Sequence, residues 1–406
     1  MRKYIFFTVI RYIEFSLFSI MMFLLARSIP ASELGLAAPS FILITFSAFI
    51  LLGGNQVLIK WYSKEVNNLK KNSLILYNLA INIVACIISY FFLLAVVDPL
   101  LANSVALIGA GKIIVECMAT LNRVNSRFQR INLIYLSNII PLTLMFFIVG
   151  IEKIGDFFIY WSYSILFAVT VSILLTEGVI RTVLKDDLGR LYCYINNNLK
   201  SLFINGIKLA FIGLLAPLIG SIDKLILSYT EFDKSLLGSM QLADNIASAI
   251  ALGAGSLFFM LTPNLIKKLS DNLVTIDIIN KYGYLCLLLA MFFFNFSFFL
   301  GNGILQHFFP DYMLLYPLMI QVSTKLLISG LFMYNVITMA FSDENFYLRI
   351  LTYILPIHIV TILLIVNTLD EDFQFYIVPI VGLVSLLIMH ILTFTRSMKI
   401  QRKIRN

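Results

Sequence analysis

Charge is what this chain has least of. Only 13% of its 406 residues are Asp, Glu, Lys or Arg, against roughly a quarter in an ordinary soluble domain. Cysteine occurs four times, histidine three times and tryptophan twice. Cys86, Cys117, Cys193 and Cys286 lie in or beside apolar runs without C-x-x-C spacing. They therefore read as small packing residues rather than as disulfides or metal ligands. His307, His358 and His390 are isolated and read as helix-packing or interfacial groups. A P-loop, an H-E-x-x-H pair and a G-x-S-x-G elbow are all missing. ATP hydrolysis by the chain itself, a bound metal and an organic cofactor are accordingly not expected. No long stretch has ordinary polar composition, and no basic segment is interleaved with aromatics in a soluble module. That excludes a globular head on one or two anchors, and nucleic acid as a partner.

In place of charge there is hydrocarbon. Apolar residues make up 60% of the chain, phenylalanine alone occurs 35 times, and the mean hydropathy is +0.92. No water-soluble core can enclose so much apolar surface. A β-barrel would alternate apolar and polar residues in ten-residue segments, whereas residues 138–149 and 284–300 are continuous apolar runs. The sequence therefore predicts an all-α polytopic membrane protein. At roughly 20 residues per span, twelve spans fit: 4–26, 34–58, 73–96, 104–121, 131–150, 157–179, 202–225, 236–261, 282–301, 313–340, 350–366 and 373–394. The first carries Arg11 and Glu14, runs on to Arg27 and meets only the poor cleavage site Ile29-Pro30-Ala31, so it reads as a retained span and not a signal peptide.

With a cytoplasmic N-terminus, twenty-two of the thirty Lys and Arg fall on the inner side, and only Arg27, Lys153, Lys224 and Lys234 on the outer. This asymmetry places both termini in the cytoplasm, and the basic balance reflects contact with anionic membrane lipid. The longest connection, between spans six and seven, divides the chain into an N-terminal six-helix lobe (1–180), a cytoplasmic inter-lobe loop (181–201), a C-terminal six-helix lobe (202–394) and a basic tail (395–406). Gly35 and Gly238 occupy matching places before spans two and eight, and Leu58-Ile59-Lys60 and Leu265-Ile266-Lys267 close those spans. The halves thus read as parallel repeats.

Seven charged residues lie deep in predicted spans: Arg11, Lys112, Lys208 and Lys325, with Glu14, Glu116 and Asp244. Each costs about 2.5–3.5 kcal/mol at the bilayer centre on insertion scales, so each must face a wet cavity or a partner. Arg11 and Glu14 are three apart and Lys112 and Glu116 four apart, so each pair shares a helix face. Lys208, near a span end, either lines a cavity or snorkels to the interface. Lys325 has no acid within four residues. Gln241, Asp244, Asn245 and Ser248 form one polar stripe on span eight, which cannot face lipid. Asn78 and Asn82 form a smaller stripe that reads as helix packing. Gly53-Gly54, Gly253, Gly255, Pro141, Pro217 and Pro356 allow bending or close approach. The cations and the stripe are the candidate substrate-binding lumen for an anionic head. The three acids have two readings: groups that take a proton or Na⁺ during transport, or fixed counter-ions to the cations.

Several short motifs occur in order along the chain. They are Ala26-Arg27…Glu33-Leu34-Gly35, Gly53-Gly54…Lys60, Asp223-Lys224-Leu225-Ile226-Leu227, Leu237-Gly238…Leu242-Ala243, Pro263-Asn264-Leu265-Ile266-Lys267 and Phe308-Phe309-Pro310-Asp311-Tyr312. With the length and span count, this set resembles the polysaccharide repeat-unit (O-antigen) flippases, Wzx type, of the multidrug/oligosaccharidyl-lipid/polysaccharide exporter superfamily. Ser239-Met240 departs from the Tyr or Phe often found there. The resemblance implies two six-helix lobes around a central cavity in the bacterial inner membrane. It also implies undecaprenyl-diphosphate-linked oligosaccharide as cargo, and the polymerase and chain-length proteins of the same pathway as partners. Two rivals stay open. One is an O-antigen polymerase-type glycosyltransferase, although every predicted outer loop is short. The other is a multidrug or cation exporter of the same superfamily. A reporter fused after Lys200 is expected to read cytoplasmic, and a periplasmic signal there would invert the orientation.

Overall fold

The computed structural model describes residues 2–47, 52–62, 64–270, 276–300 and 305–405. Among them no residue is in a strand. The helices are α1 (Arg2–Ser28), α2 (Ala31–Ser47), α3 (Gly54–Tyr62), α4 (Asn68–Val96), α5 (Pro99–Val124), α6 (Phe128–Val149), α7 (Ile154–Leu184), α8 (Leu188–Ile219), α9 (Ile222–Ser228), α10 (Lys234–Ser270), α11 (Ile276–Leu300), α12 (Gln306–Phe308), α13 (Leu315–Phe341), α14 (Glu344–Thr368) and α15 (Glu371–Arg405). Among the described residues, ten helices are long and apolar enough to cross a membrane. Their starts are encoded locally. The Asn67 side chain accepts from the Leu69 N–H ahead of α4. Asp98 accepts from the Leu100 N–H ahead of α5, with Pro99 at the first helical position.

Two compact units emerge. One comprises Met1–Leu17, Leu43–Phe211 and Met260–Lys267, the other Phe18–Ile42, Ile212–Phe259 and Lys268–Asn406, so α1, α2, α8 and α10 contribute to both. In the first unit α5 packs on α4 and α7, and α6 on α7. In the second, α13 packs on α11 and α15, and α14 on α15. Since α5 and α13 carry the fourth and tenth spans, the two halves of the sequence follow one packing order. These two are also the most enclosed of the described spans, with 72% and 76% of their apolar stretches buried, against 22% for α4 and 18% for α14. The outward residues of the peripheral helices, such as Ile83, Ile87 and Phe91 on α4, are large and apolar, as hydrocarbon requires.

The structure corrects several expectations from hydropathy. Span two is not one helix: α2 ends at Ser47 and α3 starts at Gly54. Gly53 turns the chain at φ +74°, and a Cβ there would lie 1.7 Å from the Gly206 carbonyl oxygen. Only glycine meets both demands. Span seven is also divided, with α8 ending at Ile219 and α9 beginning at Ile222. The stretch expected as an inter-lobe loop is helical except for residues 185–187, because a polar segment with good helix formers needs no apolar run to coil. The basic tail likewise continues α15 to Arg405, held where Ser397 donates to Asn280 (2.6 Å) and Gln401 donates to Asp277 (2.6 Å) on α11. Helices α6, α8 and α14 continue through Pro141, Pro217 and Pro356. The side chains of Pro263 and Asn264, and the surroundings of Gly253 and Gly255, lie outside the described residues.

Gly35 and Gly238, equivalent in the two repeats, meet face to face in the second unit. A Cβ on Gly35 would sit 1.8 Å from the Lys234 carbonyl oxygen, and one on Gly238 1.9 Å from the Ala31 carbonyl oxygen. Each glycine thus touches the residue four before its counterpart, the reciprocity of a local two-fold. Backbone atoms cannot swing aside as a side chain would, so Gly238→Ala must push α2 and α10 apart. Overpacking of this kind costs about 1–3 kcal/mol. The apparent unfolding temperature of purified Gly238→Ala is expected to fall below that of the wild type. Gly155→Ala, with only Leu101 at 3.8 Å, should leave it unchanged or raise it. Equal losses in the two variants would contradict the close contact.

Candidate functional site

Ionisable groups gather in two clusters, one in each unit. In the first unit Arg11 on α1 bonds Glu14 one turn on, as their spacing predicts. The Arg11 guanidinium also lies 3.7 Å above the centre of the Tyr135 ring on α6. Tyr135 in turn donates its hydroxyl to both Glu116 oxygens at 3.2 Å. An acid on α1 and an acid on α5 are thereby joined through one cation and one phenol. Lys112 and Glu116 share a face of α5 but form no ion pair with each other among the described residues. The Lys112 ammonium stands 4.7 Å from the centre of the buried Trp161 ring on α7, where the aromatic face stabilises a cation out of water. Arg123, two turns beyond Glu116 on the same helix, is buried and within electrostatic reach of Glu116 and Tyr135. Three cations therefore stand against two acids. Lys208 is half-buried on the part of α8 that belongs to this unit.

The second cluster is built on the break between α8 and α9. Gly220 ends α8 where a Cβ would strike Ile328 (2.8 Å) and Thr324 (3.0 Å) of α13. That close approach brings the start of α9 against the polar face of α13. Lys224, one turn into α9, has no exposed side-chain surface, and its ammonium lies 2.9 Å from Asp244 Oδ1 on α10. The Lys325 ammonium on α13 lies 2.8 Å from the same oxygen. One carboxylate oxygen is thus shared by two ammonium groups from two helices. Asp223 is buried beside them and accepts the Lys224 backbone N–H at 2.7 Å. The α10 stripe continues with Gln241, which donates to Asn245 at 3.2 Å, and with half-buried Ser248. The stripe turns toward protein partners, as its polarity demands.

Sequence reasoning placed Lys224 among the outer-face cations and Arg123 among the inner ones, and the structure buries both. It assigned nothing to Tyr135, Trp161 or Gln321, which is buried one turn before Lys325. The available signal for Lys224 was its place beside Asp223 inside the predicted span 202–225. Tyr135 and Trp161 gave none, because aromatic residues are ordinary in membrane helices.

Other polar groups hold helices together. Asn82 donates to Asn55 and Asn78 (3.3 and 2.8 Å) and Asn78 donates to Cys117 (3.4 Å), which ties α3, α4 and α5. His358 pairs with Ser385 at 3.1 Å, and His390 with the Leu327 carbonyl at 3.0 Å. The packing readings of Asn78, Asn82, His358 and His390 hold.

Helices make up the described residues almost throughout, ten of them long and apolar enough to cross a membrane, and charge is buried in two places: the class is a polytopic membrane protein. Two solved structures carry the same fold. One is described as the lipid II flippase MurJ in an inward closed conformation, with 14% identity over 97% of this chain and 90% of that one and a TM-score of 0.54. The other is an outward-facing multidrug resistance MATE family transporter of the MOP superfamily, with 12% identity over 98% of this chain and 96% of that one and a TM-score of 0.55. No protein-family model matches the chain, and no curated protein does.

The Tyr135 bridge is testable. Tyr135→Phe keeps the ring beneath Arg11 and removes the hydroxyl that donates to Glu116. A hydrogen bond to a charged group is worth about 1.5–3 kcal/mol, and denaturant unfolding in detergent should register a loss of that order. A variant as stable as wild type would show that Glu116 is held by other means.

Proposed function

We propose that the protein is a flippase that moves an undecaprenyl-diphosphate-linked oligosaccharide repeat unit from the inner to the outer leaflet of the bacterial inner membrane. The carrying observation is the meeting of Lys224 and Lys325 on one Asp244 oxygen within an apolar bundle. Ammonium groups so placed supply charge-assisted hydrogen bonds to phosphate oxygens. Arg11 and Lys112 offer the same chemistry in the first unit, and Lys208 adds a further cation on α8. Gln241, Asn245 and Ser248 present amide and hydroxyl groups suited to sugar hydroxyls. The apolar isoprenoid tail needs no enclosed site, since it is at home in the surrounding lipid.

In this reading the two sets of six spans alternate access to the two faces. Glu14, Glu116 and Asp244 either couple the cycle to H⁺ or Na⁺ or balance the cations. The fold shared with a lipid II flippase supports a lipid-linked cargo. Transport is favoured over a polymerase-type glycosyltransferase because both similar structures are of transporters. Export of a cationic drug is the second reading, supported by the comparable likeness to a MATE transporter. It is opposed by the two ammonium groups gathered on Asp244, which suit an anion. The polymerase and chain-length proteins of the same pathway are the partners this function requires.

Lys325→Ala is expected to reduce surface glycan severalfold while membrane levels of the protein stay equal. Wild-type surface glycan at equal expression would remove Lys325 from the site. Neighbouring genes for glycosyltransferases would favour the flippase, and a drug-responsive regulator the exporter.

A further inference from the structure

We propose that Asp244 is a resident counter-ion: it holds Lys224 and Lys325 in the empty carrier and is displaced by a phosphate of the cargo. This inference rests on the anionic-cargo reading above and assigns the step that admits and releases the anion. Three observations carry it. First, both ammonium groups converge on a single oxygen, Asp244 Oδ1, at 2.9 and 2.8 Å. One carboxylate oxygen is a poor match for two ammonium ions, whereas a phosphate offers each a separate oxygen.

Second, charge closes only with Asp244 in place. Lys224 and Lys325 are balanced by Asp223 and Asp244, and Asp223 is committed to the backbone N–H of Lys224. Asp244 is the acid with freedom to leave. Its side chain and that of Lys325 keep some exposure (13% and 19%), while Lys224 has none. An arriving anion would meet Asp244 and Lys325 first and uncover Lys224 by taking the place of the carboxylate.

Third, polar atoms beside the triad lack partners among the described residues. The Asn245 amide nitrogen is a buried donor without an acceptor, and the Gln241 and Gln321 side-chain oxygens are buried acceptors without donors. Unpaired buried polar groups are rare and call for an explanation. A phosphate oxygen answers Asn245, and sugar hydroxyls answer the two glutamines. The unmet groups thus match a phosphorylated sugar in both donor and acceptor sense. A bare inorganic anion would satisfy only the first.

The test uses full-length protein in phosphatidylcholine nanodiscs, with radiolabelled inorganic pyrophosphate as the probe. Asp244→Asn leaves one positive charge uncompensated among Lys224, Lys325 and Asp223, so it is expected to bind pyrophosphate at least ~10-fold more tightly than wild type, since 1.4 kcal/mol of relieved repulsion is tenfold in affinity. Lys325→Gln should bind at least ~10-fold more weakly by the same conversion. If Asp244→Asn does not fold, Asp244→Asn/Lys224→Gln removes one charge of each sign, and it too should bind more tightly than wild type. Equal or weaker binding by the Asp244 variants, with Lys325→Gln still weakened, overturns the counter-ion while leaving the anionic cargo standing. Failure of wild type and every folded variant to bind overturns both. A soluble short-chain isoprenyl diphosphate should displace the label at lower concentration than unlabelled pyrophosphate. Equal potency would assign the site to free phosphate compounds and overturn displacement by a lipid-linked cargo.

Discussion

An ammonium or guanidinium ion inside a bilayer must be answered by something, because hydrocarbon offers neither water nor counter-ion. Much of this molecule's interior follows from that requirement. Lys224 is answered by Asp244, Arg11 by Glu14 and the Tyr135 ring, and Lys112 by the Trp161 face. The answers differ in strength. A carboxylate neutralises a cation, while an aromatic face stabilises it and leaves its charge available to an anion.

Placing these groups requires departures from regular helix. Lys224 reaches Asp244 where α8 stops at Ile219, Gly220 passes close to α13 and α9 restarts at Ile222. The bend at Gly53, where the backbone nearly touches Gly206, is of the same kind. Both follow one rule: an interrupted helix inside a membrane survives where neighbouring protein covers its backbone. The interruptions lie beside buried polar groups, Asn55, Asn78 and Asn82 at one and the lysine triad at the other.

The helical architecture was legible in composition, since long apolar runs in lipid have few alternatives to helix. The duplicated order was legible in Gly35 and Gly238, whose separation by half the chain became a physical contact. Hydropathy misplaced the ends, because charged segments such as 188–201 and 395–405 coil as readily as apolar ones. It also misplaced Lys224, because a residue's distance from a span end says nothing about which way a broken helix points. Of the site residues, the four on the α10 stripe kept the shared face their spacing implied. Lys112 and Glu116 did not keep each other, because Tyr135 and Trp161 from other helices compete for them.

What the sequence determined alone was what depends on one helix at a time: the membrane as solvent, the rough place of most spans, and which charges lie too deep to be incidental. The partner of each such charge was decided only by the tertiary structure. Asp244, Lys224 and Lys325 lie on three helices and as many as 101 residues apart. Helical periodicity relates residues within about two turns, so their meeting is a property of packing, and the chemistry of the site belongs to that meeting.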